Sequence, residues 1–296
     1  MTPIGPLIDL SGTARFDLVD GAGRVGLIAP YDFALDDEYW RWLGNGQTLC
    51  AARTPYYEHP VSVRMAKAVR NTAELVVAAR SLAMVRPAAT VYACTSASFI
   101  GGLAGERTIR DVMAEAGLAS PATTSGALVD ALGSLGIRRV AIGSPYNAEL
   151  TRLLAHFLAE AGYEVVGGAF LGLDGDISRV DSRSVYHLAR ATDSPEADAI
   201  FLSCTNLRTF DVLAAAERDI GKPVLSANQV SMWAVLRAAG LPSAPVNQRL
   251  FGAPGPRPVA QLSVCTVAEV PVPVPGPDTA AAQTALPIAT MSRALA

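Results

Sequence analysis

Histidine is scarce in this chain: there are three, His59, His156 and His187, scattered through segments of loop or helix character, and no Cys-x-x-Cys pair accompanies them. That spacing excludes the ordinary zinc site and leaves no evident partner for a Ser-His-Asp or Cys-His arrangement, so acid–base chemistry here falls to cysteine, tyrosine or carboxylates. Charge is sparse as well. Only 17% of residues are charged, the net charge is −3, and no block of like charges exists, which excludes the electrostatic footprint of a nucleic-acid or anionic-membrane binder. Half of the residues are hydrophobic, yet no apolar run approaches the ~20 residues of a membrane-spanning helix. The N-terminus, Met1-Thr2-Pro3-Ile4-Gly5-Pro6, lacks a basic segment followed by an apolar one, so the expectation is a cytoplasmic protein. Four cysteines (Cys50, Cys94, Cys204, Cys265) in 296 residues do not make the disulfide framework of a small secreted domain. The partner to expect is a small molecule, without nucleic acid or membrane, and the apolar composition permits a homodimer.

What the chain does contain is a repeating alternation. Arg24–Ala29 reads as a first core strand ending at the polar Pro30-Tyr31-Asp32, and Asp36-Asp37-Glu38 then open a short helix. Trp40 and Trp42 follow, one expected to pack and one to face solvent. A strand at 47–54, a long helical pattern over 62–84 and a strand ending at Cys94 come next, then a helix reaching about 116 and another ending near Gly133. Strands at 139–143, 164–170, 199–202 and 222–226 alternate with helices at 148–161, 183–191, 210–220 and 228–239. Strands separated by helices of this length predict parallel sheets covered on both faces, and two sheets of four strands account for the repetition. The domains expected are an N-terminal extension (1–22), one lobe (23–123 plus 228–250), a second lobe (124–227), and a Pro/Ala-rich tail (251–296) in which Cys265 is incidental.

The repetition carries chemistry at two places. Thr90-Val91-Tyr92-Ala93-Cys94-Thr95-Ser96 and Ala199-Ile200-Phe201-Leu202-Ser203-Cys204-Thr205 are apolar strands that both end on Cys-Thr, 110 residues apart. A lone buried cysteine at a strand end is ordinarily a small hydrophobe. Two in corresponding places of a repeated pattern point instead to a pair of thiols facing each other across a cleft. A helix N-terminus behind each would lower the thiol pKa and offer N–H and hydroxyl donors to a carboxylate or enolate.

These residues, with Asn206-Leu207-Arg208-Thr209, the run Glu217–Gln229 and Trp233, also resemble the maleate isomerase and arylmalonate decarboxylase branch of the aspartate/glutamate racemase superfamily, over about residues 24–250. The resemblance implies two pseudo-symmetric four-stranded parallel α/β lobes with the active site between them, and cofactor-independent chemistry next to a carboxylate. It implies Cys94 as nucleophile and Cys204 as general acid/base, with Thr95, Ser96 and Thr205 as donors to the substrate carboxylate and Tyr146 as a hydroxyl donor. Decarboxylases of the branch keep only the second cysteine, so the presence of both favours an isomerase or racemase of a small carboxylic acid. A decarboxylase with Cys204 as proton donor, or a non-catalytic carboxylate-binding protein, are the alternatives.

Two departures bear on the substrate. Asp32 stands where the isomerases place an asparagine that holds the substrate, and an anion there repels a second carboxylate unless it is protonated or paired. The segment Leu173–Ile177 also lacks the asparagine expected in the second lobe. From the residues alone Asp32 could equally cap the short helix after it, and Tyr146 could cap a turn. Gly101-Gly102-Leu103-Ala104-Gly105 lacks the Lys-Ser/Thr ending and spacing of a phosphate loop, so no nucleotide is expected.

Overall fold

Eight short strands, three of them wholly buried, dictate the architecture. In chain order the elements are β1 (Arg24–Ala29), α1 (Asp36–Trp40), β2 (Thr48–Arg53), α2 (Val63–Val69), α3 (Thr72–Ala83), β3 (Ala89–Tyr92), α4 (Thr95–Phe99), α5 (Gly102–Glu115), β4 (Pro121–Thr123) and α6 (Thr124–Ser134). There follow β5 (Arg139–Ser144), α7 (Ala148–Glu160), β6 (Glu164–Phe170), a 3-10 turn (Ile177–Arg179), α8 (Ser182–Thr192), β7 (Ala199–Leu202), α9 (Phe210–Ile220), β8 (Val224–Ser226), α10 (Ala227–Ala238) and α11 (Arg249–Gly252). This computed structural model describes residue 9 and residues 23–252. Most of the expected N-terminal extension, nearly all of the expected tail and Cys265 therefore lie outside the described residues.

All strand pairs are parallel, in two four-stranded sheets of order β2-β1-β3-β4 and β6-β5-β7-β8. The second order is the first with every number raised by four, which is the pseudo-symmetric pair of α/β lobes expected from the sequence. β3 and β7 read Ala-Thr-Val-Tyr and Ala-Ile-Phe-Leu with every residue buried, as parallel strands covered on both faces must. Cys94 and Cys204 follow these two equivalent strands. No helix among the described residues is long and apolar enough to cross a membrane.

The predicted elements need three corrections. The helical pattern over 62–84 is two helices, because Asn71 breaks the run and its side chain caps α3 by accepting from the Ala73 N–H at 3.1 Å. The predicted helix reaching about 116 is likewise two, α4 and α5, separated at Ile100-Gly101. β4 is a strand of only three residues beginning with proline; it sits at the sheet edge, where a missing N–H costs no ladder bond. Trp42 is fully buried and Trp40 is exposed, as expected of the pair.

A buried carboxylate joins the lobes. Glu38 of α1 accepts from the Thr209 N–H (3.0 Å), the Thr209 hydroxyl (2.8 Å), the Phe210 N–H (3.1 Å) and the Asn228 amide (3.0 Å). Thr209 makes no side-chain cap for α9, so the carboxylate of the opposite lobe performs that task. Burial pushes the Glu38 pKa up, and these donors pull it back. Around it Arg41 pairs with Asp211 and Arg208 with Asp37, but those side chains are partly solvated and contribute little.

Replacing Glu38 by alanine leaves the Thr209 and Phe210 N–H groups and one Asn228 amide N–H without an acceptor, while the Thr209 hydroxyl keeps Ser226. Glu38→Ala is expected to cost about 2–4 kcal/mol in urea denaturation. Glu38→Gln should cost less, since it keeps the volume and one acceptor oxygen; a Gln variant as stable as the parent would show that the carboxylate adds nothing beyond packing.

Candidate active site

Cys94 occupies the N-cap position of α4 in extended backbone, 4% exposed, with its sulfur 3.8 Å from the Ser96 hydroxyl and within reach of the Ala97 N–H. Cys204 follows β7 in the same relation to its sheet and is 8% exposed. Its backbone, however, is at φ +88°, a region that a residue with a Cβ adopts only under strain. The strained turn presents the sulfur to the Asn206 N–H and the Tyr146 hydroxyl.

The seven residues singled out from the sequence, Asp32, Cys94, Thr95, Ser96, Tyr146, Cys204 and Thr205, all line one cavity of about 30 Å³ between the two sheets' C-terminal edges. A wider cavity of about 300 Å³, near Arg107, Arg110 and Asp130, has no cysteine in its wall. Placement at strand ends follows from the α/β architecture, whose binding crevices lie there. Tyr146 comes in from the turn after β5 and packs its ring against Phe99 of the other lobe. Thr95 Oγ1 is buried and without a hydrogen-bond partner, so it is a free donor at the cavity wall. Thr205 Oγ1 is already engaged, donating to the Ala93 carbonyl at 3.2 Å.

Asp32 does not cap α1. The N-cap there is Leu35, with no side-chain cap bond. Asp32 is instead held by Asn206, whose amide donates to its backbone carbonyl (3.0 Å) and its carboxylate (3.4 Å), while Asn206 Oδ1 accepts from the Ala34 N–H (2.9 Å). As a residue Asp32 is solvent-exposed, yet its carboxyl sits among protein atoms, and burial pushes its pKa up. Asn206 is the contact that the sequence reading passed over, although it stands two residues from Cys204. Val61, Met65 and Ile177, which with Pro30 complete the wall, carried no signal beyond ordinary apolarity.

The electrostatics correct one expectation. Cys94 has the expected helix N-terminus behind it, whereas Cys204 is followed by a turn and no helix begins before Phe210; an N–H group acts on each sulfur, from Ala97 and Asn206, but burial outweighs both, pushing Cys94 up to about 11 and Cys204 up to about 12, with the Asp32 charge adding to both. Without a ligand both side chains are thiols at neutral pH. Among the described residues no group of three or more His, Cys, Asp and Glu is placed to hold a metal ion. The Gly101 and Gly105 positions have a packing role: a Cβ on Gly101 would fall 2.6 Å from the Arg70 guanidinium, and one on Gly105 2.9 Å from it.

Comparison with known proteins agrees with this geometry. The family model described as arylmalonate decarboxylase matches residues 65–251. Arylmalonate decarboxylase of Bordetella bronchiseptica is 37% identical over 150 residues, 49% of this chain and 62% of that protein, so the chain spans less than two thirds of that relative's length. Maleate isomerase of Nocardia farcinica is 27% identical over 235 residues, covering 76% of this chain and 93% of the relative. Among solved structures, a liganded double variant of arylmalonate decarboxylase superposes with a TM-score of 0.71 at 30% identity, over 77% of this chain and 98% of that one. The Nocardia farcinica maleate cis-trans isomerase bound to TRIS gives 0.70 at 26% identity, over 77% and 97%.

Two outcomes follow from the thiols. Alkylation of Cys94 and Cys204 by iodoacetamide, read by peptide mass spectrometry, should be slow at pH 7 and rise about tenfold per pH unit toward pH 10, because the thiolate fraction grows at that rate below the pKa; a plateau near pH 8 would contradict the raised values. Cys204→Gly should unfold at higher denaturant than Cys204→Ala, by about 1 kcal/mol, because glycine accepts the positive φ that alanine does not.

Proposed function

The chain belongs to the arylmalonate decarboxylase family, and on that premise we propose that it is a cofactor-independent isomerase or racemase of a small carboxylic acid, with Cys94 as nucleophile or base and Cys204 as general acid/base. The observation that carries this reading is the convergence of two thiols from equivalent strands on one cavity with a free hydroxyl, Thr95 Oγ1, beside them. Thr95, with Ser96, holds the substrate carboxylate, Thr205 being committed to the Ala93 carbonyl, and Tyr146 steadies the Cys204 sulfur as its proton comes and goes.

Because both sulfurs rest as thiols, one must lose its proton before reaction. Asp32, in the same wall and with a raised pKa, takes the Cys94 proton; once protonated it no longer repels the substrate carboxylate. On an unsaturated acid the Cys94 thiolate adds to one carbon of the double bond while Cys204 protonates the other. Rotation about the new single bond follows, then Cys204 takes its proton back and the carbon–sulfur bond breaks. On a saturated acid one sulfur removes the α-proton and the other delivers a proton to the opposite face, which inverts the centre. A reducing cytoplasmic compartment suits the free thiols.

A second reading, decarboxylation with Cys204 as sole proton donor, draws on the 37% identity to a protein of that name. Proton NMR in D2O across maleate, aspartate, glutamate, arylmalonates and hydantoins separates the two. Isomerase or racemase chemistry gives deuterium at the reacting carbon or its cis–trans product without CO2, and Cys94→Ala and Cys204→Ala each reduce it by at least a thousandfold. A fully active Cys94→Ala variant that releases CO2 would replace the first reading with the second.

A further inference from the structure

The cavity between the thiols, at about 30 Å³, is less than a tenth the size of the cavity that adjoins it. Its outer wall, formed by Asp32, Val61 and Met65, is shared with a second cavity of about 380 Å³ that opens to solvent. Across that wall the Val61 N–H donates to the Asp174 carbonyl at 2.8 Å, clasping the loop after β2 to the loop after β6. A molecule that reaches the sulfurs must part this clasp, and its remainder then lies in the outer cavity.

The outer cavity has a distinctive lining. Tyr31 and Tyr56 meet edge-on with ring centroids 5.1 Å apart, and Tyr57 stands 6.2 Å from Tyr31. The Tyr57 hydroxyl is taken up by Glu74. Glu58, Asp174 and Asp176 stand around the rings, with His59 as the basic side chain among the lining residues. Arg179 lies 3.6 Å from Asp176 and pairs with it at the surface, leaving Glu58 and Asp174 without an ion-pair partner among the salt bridges of the described residues. Aromatic faces carry negative potential and attract cations, most strongly alkylated ammonium groups that are weakly hydrated. Carboxylates beside them add to that attraction and oppose an anion.

We propose that this outer cavity is a subsite for an organic cation, so that the substrate is a carboxylic acid bearing an alkylated ammonium group several atoms from the carboxylate. The inference rests on the thiol cavity being the reaction site. It accounts for Asp32 and the acidic 172–178 loop together, and it sets a dicarboxylate such as maleate among the poorest ligands. Tyr56 and Asp174 are the specificity-determining side chains: Tyr56 is 71% exposed and Asp174 uses only its backbone in the clasp, so both can be changed without loosening the fold.

Three acids of similar length test it by isothermal titration calorimetry on the full chain: 4-(trimethylammonio)butanoate, its neutral isostere 5,5-dimethylhexanoate, and glutarate. The cation should bind at least tenfold more tightly than the neutral acid, with glutarate weakest, and the gap should narrow in 1 M NaCl as screening shortens the reach of the carboxylates. Tyr56→Ala with Asp174→Asn should bring the cation and the neutral acid to within threefold of one another, the cation losing the larger share of its affinity. Equal or tighter binding of either uncharged or dianionic acid, no binding of any, or a gap that survives both substitutions would overturn the proposal. Deuterium exchange reads the thiol chemistry separately, so a chain that exchanges protons without preferring the cation loses only the subsite, and one that prefers the cation without exchanging loses only the catalytic reading.

Discussion

The carboxylate of Glu38 is the constraint on which the paired site depends. Each lobe has its own sheet, although one buried core runs through both, and a cysteine at the end of β3 and one at the end of β7 become a pair only if the two crevices are held in register. Glu38 does this by entering the second lobe and taking the donors that α9 leaves free at its start. That fixes Thr209, and with it the segment that begins at Cys204. Two residues beyond Cys204 the tie is returned, since Asn206 reaches back to hold Asp32 and Ala34 in the first lobe. The sulfurs lie inside a ring of hydrogen bonds that crosses the interface in both directions. Side-chain bonds buried in this way are worth more than the exposed ion pairs around them, because a broken one leaves a polar group dry.

Two costs are localised at this ring. The Cys204 backbone sits in a conformation that a side chain disfavours, and both thiols are buried beside a carboxyl group that disfavours their ionisation. Neither feature helps the fold, and both become intelligible if the turn exists to aim a sulfur. A thiol with a pKa near 11 is also inert toward stray electrophiles and oxidants, so reactivity is confined to moments when the cavity is occupied. The clasp between Val61 and Asp174 serves the same end by keeping bulk water from the sulfurs.

The sequence made the sheet strands and the paired cysteines legible because both are one-dimensional signals: a short apolar run bounded by polar turns, occurring twice with the same ending. It hid whatever depended on the opposite lobe. Helix α9 has no side-chain cap of its own, and nothing near residue 209 indicates that the cap comes from residue 38. Asp32 looked as much like a helix cap as a cavity residue, because the amide that claims it lies 174 residues away. The 62–84 stretch read as one helix since its apolar spacing continues through Asn71, whose capping preference is a weaker signal than the pattern around it. The thiol pKa values went astray for a related reason: a helix N-terminus is visible in a sequence, and the depth of burial that outweighs it is not.

The pseudo-symmetry finally explains why the two thiols are not interchangeable. The turn after β1 is Pro30-Tyr31-Asp32 and the turn after β5 is Pro145-Tyr146-Asn147, the same motif at equivalent strands. The lobes use it in opposite senses. In the first, the third residue, Asp32, lines the thiol cavity and the tyrosine joins the rings of the outer cavity. In the second, the tyrosine lines the thiol cavity and the third residue, Asn147, turns away to cap α7 by accepting from the Leu150 N–H at 3.0 Å. One lobe therefore supplies an acid and the other a hydroxyl. A repeat of two similar halves thus arrives at a site with two distinct proton environments, one governed by a carboxyl group and the other by a phenol next to Cys204.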